Sequence, residues 1–324
     1  MLSFMPLLEV SNLKVYYYTS KGVVRAVDSV SFSIEKGEVM GLAGESGCGK
    51  STLGYALIRL VPPPGRIVGG KILFNGLDVL SMSEDEFRKK IRWKGISMIF
   101  QGALNALNPV MKVGDQIAEV FRLHLGLPKD EGIRRARELL KMVGLDPEKV
   151  NAYPHELSGG MKQRVVIAMA LALNPPLVIA DEPTTALDVV TQAQILNLLK
   201  QLQREKNMSL ILVSHDLSLI AELADKLAVM YAGKIVEYGP SDSVYNNPLH
   251  PYTQGLIRSI PRLSGEKSEL VGIPGEPPDL ANPPPGCRFH PRCPFAMDIC
   301  RREEPPLVEV EKGHYVACWL YAKR

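Results

Sequence analysis

The stretch "VMGLAGESGCGKSTLGYALIRL", residues 39–60, decides how the rest of the chain is read. An apolar, strand-like run meets a glycine-rich turn, and a helix-like segment follows. The turn, Gly44-Glu45-Ser46-Gly47-Cys48-Gly49-Lys50-Ser51, fits the spacing G-x-x-x-x-G-K-[ST] and is followed by Thr52. Glycines at those places let backbone N–H groups converge on phosphate oxygens. Lys50 is placed to reach the outer phosphates and the Ser51 hydroxyl to hold Mg²⁺. The N-terminus of the following helix favours the same negative charge. A chance glycine-rich turn would not need a strand before it and a helix after it.

Outward from this turn, "ISMIF", "PLVIAD" and "SLILVS" read as further strands, each a continuous apolar run bounded by polar or turn residues. Such runs suit parallel strands covered on both faces. Helical patterns lie between them: Ile195, Leu198, Leu199 and Leu202 mark one amphipathic helix in "TQAQILNLLKQLQREK". Alternation of strand and helix predicts an α/β fold over residues 39–240. Residues 6–38 read instead as short antiparallel strands, "LLEV", "KVYYYT" and "SVSFSI", separated by turns. After 240 the composition shifts, and the proline-rich segment 274–306 reads as a separate appendage with little regular structure.

Composition sets bounds. The chain has 324 residues, 46% of them hydrophobic and 23% charged, enough for one large domain or two. A net charge of +3 without a concentrated basic stripe argues against nucleic acid as a partner. The longest apolar run, "VVIAMALAL" at 165–173, is far short of the roughly 20 residues that span a bilayer. The start of the chain lacks the features of a signal peptide. These readings lead to the expectation of a soluble cytoplasmic protein, where disulfides are rare.

Further features fall in order along the chain. "LVIADEP" ends a strand in Asp181 and Glu182: the first carboxylate suits Mg²⁺ and the second can polarise an attacking water. "LSGGMKQR", from Leu157, sets Ser158, Gly159 and Gly160 before a helix, another anion-favouring N-terminus. Gln101 ends "ISMIFQ" and His215 follows "ILVS". Each alone has a plain structural reading, as acidic turn, helix cap or strand end.

Taken together these residues resemble the nucleotide-binding subunits of ABC transporters over about residues 5–240. "GESGCGKS" stands for the Walker A loop, "LVIADE" for Walker B and "LSGGM" for the signature. Gln101 stands for the Q-loop, Ala186–Asp188 for the D-loop and His215 for the switch histidine. The resemblance implies a P-loop cassette: a mostly parallel sheet core with an antiparallel β subdomain and a helical subdomain. It implies that two such subunits sandwich two ATP molecules head to tail. Lys50 and Ser51 of one then face Ser158 and Gly160 of the other. Glu182 becomes the catalytic carboxylate, His215 a γ-phosphate contact, and Ser51, Gln101 and Asp181 the Mg²⁺ site. Tyr17, between Tyr16 and Tyr18, matches the aromatic that stacks on adenine.

The tail narrows the family. "NNPLHPYTQGLIRSIP" (246–261), "GIPGEPPDL" (272–280) and "PPPGCRFHPRCPFAMDIC" (283–300) resemble the C-terminal extension of the dipeptide/oligopeptide importer ATPases, as do "DEPTTALDVVTQAQIL" and "LNPVM". Residues 1–240 are then the ATP-binding domain and 241–324 the extension. Partners implied are a paralogous ATPase or a second copy, two transmembrane permeases and an extracytoplasmic binding protein, with this chain at the cytoplasmic face of the membrane. Oligosaccharide and nickel importers of the same type are alternative settings. Gly102 and Ala103 after Gln101 depart from the Asp-Pro common in the family. Non-transport ATPases of this fold usually carry a coiled-coil insertion or a second fused cassette, and neither is seen here. A redox-regulatory module on the same fold would fit better had Glu182 or His215 been lost.

The extension also holds Cys287, Cys293, Cys300 and Cys318, spaced Cys-x5-Cys-x6-Cys-x17-Cys. Disulfides, unrelated buried thiols, zinc and an iron–sulfur cluster are all readings of four cysteines. The paired Cys-x2-4-Cys knuckles usual for zinc are missing, and no ferredoxin run matches. The family resemblance selects a 4Fe–4S cluster, with zinc as the alternative, acting to staple a segment too poor in hydrophobic residues to order itself. Cys48 reads as a small spacer in the phosphate loop.

Overall fold

The computed structural model describes residues 5–102, 106–259 and 272–322. It divides into two compact units, Met1–Leu80 with Leu212–Arg324, and Ser81–Ile211.

The first unit opens with a long hairpin, β1 (Leu8–Thr19) and β2 (Gly22–Ile34). The expected turn between "LLEV" and "KVYYYT" is a β-bulge inside one strand. Asn12 adopts φ 49°, and the register against β2 shifts between Val10 and Leu13. The extra residue changes parity, so Leu8 and Val10 before it and Leu13 and Val15 after it are all buried. The strand β3 (Val39–Ala43) leads to α1 (Lys50–Leu57), and β4 (Gly65–Phe74) and β5 (Leu77–Asp78) follow. The antiparallel sheet runs β2-β1-β4-β5. Gly70 of β4, at φ 95°, sits against the bulge: a Cβ there would lie 2.5 Å from Leu13 Cα. Only glycine tolerates both the angle and the approach.

The second unit holds α2 (Glu84–Lys90), whose Ser83 side chain accepts from the Glu86 N–H. Strand β6 (Ile96–Ile99) pairs in parallel with β7 (Leu177–Asp181), and both are fully buried. Between them lie α3 (Val113–Leu125), α4 (Lys129–Met142) and α5 (Gly159–Ala170). The apolar run at 165–173 is the buried half of α5 and the turn after it. Helix α6 (Val189–Lys206) buries Ile195, Leu198, Leu199 and Leu202, the face its spacing predicts. Strand β8 (Ser209–Val213) carries the chain back.

The first unit then gains α7 (Leu217–Leu223), β9 (Lys226–Tyr231) and β10 (Lys234–Pro240), with β3 and β9 parallel and β9 and β10 antiparallel. Helices α8 (Ser241–Asn246) and α9 (Pro251–Arg258) follow. The proline-rich segment itself is held by short 3₁₀ turns, and after it come β11 (Val308–Glu311) and β12 (His314–Val316). The tail is not the separate appendage its composition suggests. Strand β12 pairs with β10, Glu237 opposite Val316 and Tyr238 opposite Tyr315. Leu249, Val316 and Cys318 bury together, with Val308 and Tyr321 against them.

Candidate nucleotide site and its support

In the first unit the phosphate loop follows β3 and ends at α1. Gly44, Gly47 and Gly49 adopt φ of 152°, 77° and 109°, all in the region that favours glycine. No side-chain hydrogen bond caps α1, and the N-terminus of a helix favours an anion. Lys50 is 5% exposed, and its Nζ donates to the carbonyls of Gly44 at 2.7 Å and Glu45 at 2.9 Å. The lysine is thus folded back over its own loop. Cys48 is buried beside it, with Sγ 3.7 Å from Nζ. Burial pushes the Cys48 thiol up, against the pull of the ammonium. A Cβ on Gly44 would lie 2.8 Å from that sulfur, so the small residue expected at 48 is what the space admits.

Of the three tyrosines, Tyr16 donates to Asp28 at 2.8 Å, and burial with that bond raises its hydroxyl to about 12. Tyr18 is exposed. Tyr17 is the one beside the loop, its hydroxyl 3.3 Å from Thr52 Oγ1. His215 is exposed just beyond β8, where the Ser214 N–H donates to the Leu42 carbonyl of β3.

In the second unit Asp181 is fully buried at the end of β7. Glu182, next to it, takes φ 44°. Its Oε2 accepts from Gln101 Nε2 at 2.9 Å and from Thr185 Oγ1 at 3.0 Å. The structure therefore joins Gln101 and Glu182, which are 81 residues apart in sequence. Ser158 caps α5 through a 3.3 Å bond from the Met161 N–H. Asp188 caps α6, accepting from the Thr191 N–H at 3.0 Å and Thr191 Oγ1 at 2.6 Å, and these bonds hold its carboxyl low. Gly160 passes Thr191 closely: a Cβ would lie 2.7 Å from Thr191 Cγ2. Gly102 is described, at φ 70°, but Ala103 lies outside the described residues.

The sequence reading missed a set of residues in the extension. Arg292 is buried and makes a bidentate ion pair with Glu45 of the phosphate loop, at 2.7 and 3.0 Å. That bond pushes the guanidinium pKa up, against burial. Tyr252 is fully buried, and its hydroxyl accepts from the Glu45 N–H at 2.8 Å. Arg288, four residues before Arg292, reaches Asp28 and the Ala232 carbonyl. Burial would raise the Asp28 carboxyl, but the Tyr16 bond with the charges of Lys234 and Arg288 holds it low. Phe289, between the arginines, packs on Tyr231, Tyr252 and His250 at ring distances of 5.2, 5.4 and 5.7 Å. Deeper in the extension, the buried Glu237 accepts from the N–H groups of Leu249 and His250 and from His314 Nε2. Two arginines in "RFHPR" were the only trace of this in the sequence.

The four cysteines lie in one neighbourhood. Cys287 feels the charges of Cys293, Cys300 and Cys318, and its N–H donates to the Cys300 carbonyl at 2.8 Å. Burial pushes Cys287 up to about 12 and Cys318 to about 11. The backbone N–H groups of Phe289, Phe295 and Leu320 pull the thiols of Cys287, Cys293 and Cys318 the other way, less strongly than burial. Yet among the described residues no three His, Cys, Asp or Glu side chains are arranged to hold a metal ion. All four are free thiols, Cys300 and Cys318 buried and Cys287 and Cys293 partly so. His290 and His314 are engaged elsewhere, with the Cys287 carbonyl and with Glu237.

The comparisons with known proteins agree with this geometry. Residues 27–185 match the ABC transporter family, and residues 236–300 match the oligopeptide/dipeptide transporter C-terminal region. The structure resembles a dimeric bacterial ABC transporter cassette, with a TM-score of 0.64 and 30% identity over 72% of this chain and 98% of that one. The same cassette in a post-hydrolysis state with ADP and Pi matches with a TM-score of 0.63. The fold is that of an ABC ATPase. The chain is 52% identical to the oligopeptide transport ATP-binding protein OppD of Bacillus subtilis, over 97% of this chain and 88% of that protein. It is 47% identical to the dipeptide transport ATP-binding protein DppD of Escherichia coli, over 97% and 96%. It belongs to the family of ATP-binding subunits of oligopeptide/dipeptide ABC transporters.

Proposed function

We propose that this chain hydrolyses ATP to drive uptake of dipeptides or oligopeptides through separate membrane subunits. The observation that carries the reading is the pairing of Gln101 with Glu182 beside a buried Asp181, in a chain that also keeps the lysine-bearing phosphate loop. In this reading residues 1–240 are the motor and 241–324 the extension. ATP lies on the loop 44–52 with Tyr17 against its base. Ser51, Asp181 and Gln101 serve Mg²⁺, which neutralises charge on the phosphates. Glu182 orients the attacking water and His215 contacts the γ-phosphate. Phosphoryl transfer asks mainly for such positioning and charge stabilisation. Ser158, Gly159, Gly160 and Asp188 act on the ATP held by a partner ATPase, a paralogue or second copy, so hydrolysis waits on closure.

No helix among the described residues is long and apolar enough to cross a membrane. Two permeases and an extracytoplasmic binding protein complete the machine, with this chain at the cytoplasmic face. Replacing Glu182 by Gln keeps the shape and removes the charge. Uptake of labelled di- and tripeptides by cells carrying only Glu182→Gln is expected to fall to background at unchanged protein level. Uptake at the wild-type rate would overturn the role.

We also propose a 4Fe–4S cluster on Cys287, Cys293, Cys300 and Cys318. Backbone N–H groups aimed at three of the sulfurs suit thiolates that share a cluster's negative charge.

A further inference from the structure

All three polar groups of Glu45 are held, two of them from the extension. Its N–H donates to Tyr252, its carboxylate takes both terminal nitrogens of Arg292, and its carbonyl accepts from Lys50 Nζ. Arg292 is held in turn. Its Nε donates to the Pro274 carbonyl at 2.8 Å, and its other nitrogens lie 3.4 Å from the Ile273 carbonyl and the Tyr231 hydroxyl. The side chain is 5% exposed, and the guanidinium lies 5.8 Å from the centre of the Tyr231 ring.

A loop with three glycines at positive φ has much freedom to lose when it closes around phosphates. A tether that removes this freedom beforehand raises affinity without touching the ligand. The only non-glycine residue between Gly44 and Gly47 besides Ser46 is the one that is tethered. Charge sharpens the argument. A carboxylate beside a triphosphate is repulsive unless neutralised, and Arg292 neutralises it through two parallel bonds. We propose that Arg292 of the C-terminal extension is a positioning residue for the phosphate loop, acting through Glu45 to set nucleotide affinity. The inference rests on the reading of residues 44–52 as the nucleotide site.

The experiment is ADP binding to the full-length chain by calorimetry, since ADP is not consumed, for Arg292→Met, Glu45→Ala and the double variant. Each single substitution is expected to weaken ADP about tenfold, as for loss of one charge-assisted pair. The double variant is expected to be no weaker than the weaker single, because both changes release the same tether. Arg292→Lys, which keeps the charge and loses the fork, should fall between. In the assembled transporter Arg292→Met should raise the KM for ATP and leave kcat near wild type; a merely destabilised fold would lower the active fraction and so kcat. Wild-type ADP affinity in Arg292→Met overturns the proposal. So does return to wild-type affinity in the double variant, which would mean that Arg292 only masks a repulsive charge. If Arg292→Met does not fold, Glu45→Ala decides, since it leaves the extension unaltered: unchanged affinity refutes the tether. Lys50→Ala separates the two readings. If it binds ADP as the wild type does, residues 44–52 are not the nucleotide site and the functional reading fails first.

Discussion

Tyr17 owes its place to the strand it leaves. The bulge at Asn12 sets which side chains of β1 face the core, and Tyr16 and Tyr18 are committed to Asp28 and to solvent. What remains is a half-exposed ring whose hydroxyl meets Thr52. In the proposed reading a nucleotide uses its face, not its hydroxyl. Tyr17→Phe should therefore bind ATP about as well as the wild type. Tyr17→Ala should lose about tenfold, the usual worth of one base stacked on one ring. Equal loss in both variants would show that the hydroxyl matters and the stacking does not. Three tyrosines in a row could not be told apart in the sequence, because the choice depends on a bulge with no signature of its own.

At the scale of the element, α9 has an unusual cap. His250 is 1% exposed, and its Nδ1 accepts from the Tyr252 N–H at 3.0 Å, which requires a neutral ring. Burial pushes its pKa down to about 3. The unfolded chain takes up this proton near the ordinary value of 6.5, well before the native chain does. Stability that is fully present above 6.5 therefore drains away as pH falls towards 3, at no more than about 1.4 kcal/mol per pH unit. Denaturant melts of wild type and His250→Asn should show this slope in the wild type and a shallower one in the variant, whose side chain can still cap the helix. Identical slopes would show that His250 does not carry the dependence. Because Tyr252 is the second residue of the helix, the nearest reporter of its opening is the Glu45 N–H that Tyr252 receives. Elements of this kind divide sharply in how readable they are. α6 was readable because its apolar spacing and its Asp188 cap are local. β12 was not, because its three residues become a strand by pairing with β10 and β11.

At the scale of the whole molecule, the extension is tied to the rest of its unit by buried polar contacts and by a shared sheet edge. Asp28 with Arg288 and Glu45 with Arg292 join residues 260 and 247 positions apart. Nothing in a linear pattern pairs such residues, whereas the phosphate loop declares itself in eight consecutive ones. If the cysteines carry a cluster, removing it should be felt along this route. Purified without oxygen, the chain should be brown and hold about four irons and four sulfides. Cys293→Ser should bleach it and expose the region after 280 to protease, since a liganded segment folds with its metal. Stoichiometric zinc without iron would replace the cluster by a zinc staple, and a colourless, metal-free, protease-resistant chain would remove the staple altogether.

The ion pair between Glu45 and Arg292 also has a direction in time. Ribosomes build the chain from its N-terminus, so the phosphate loop emerges long before the arginine that holds it. The 247 residues between them take about 12–50 s to add at the usual rate of synthesis. For that interval the loop has its lysine and its glycines but not its anchor. A chain cut short before the last forty residues keeps every motif by which an ATPase is recognised and lacks the part that steadies the loop. Synthesis of Arg292 is thus the event that supplies the ion pair to Glu45.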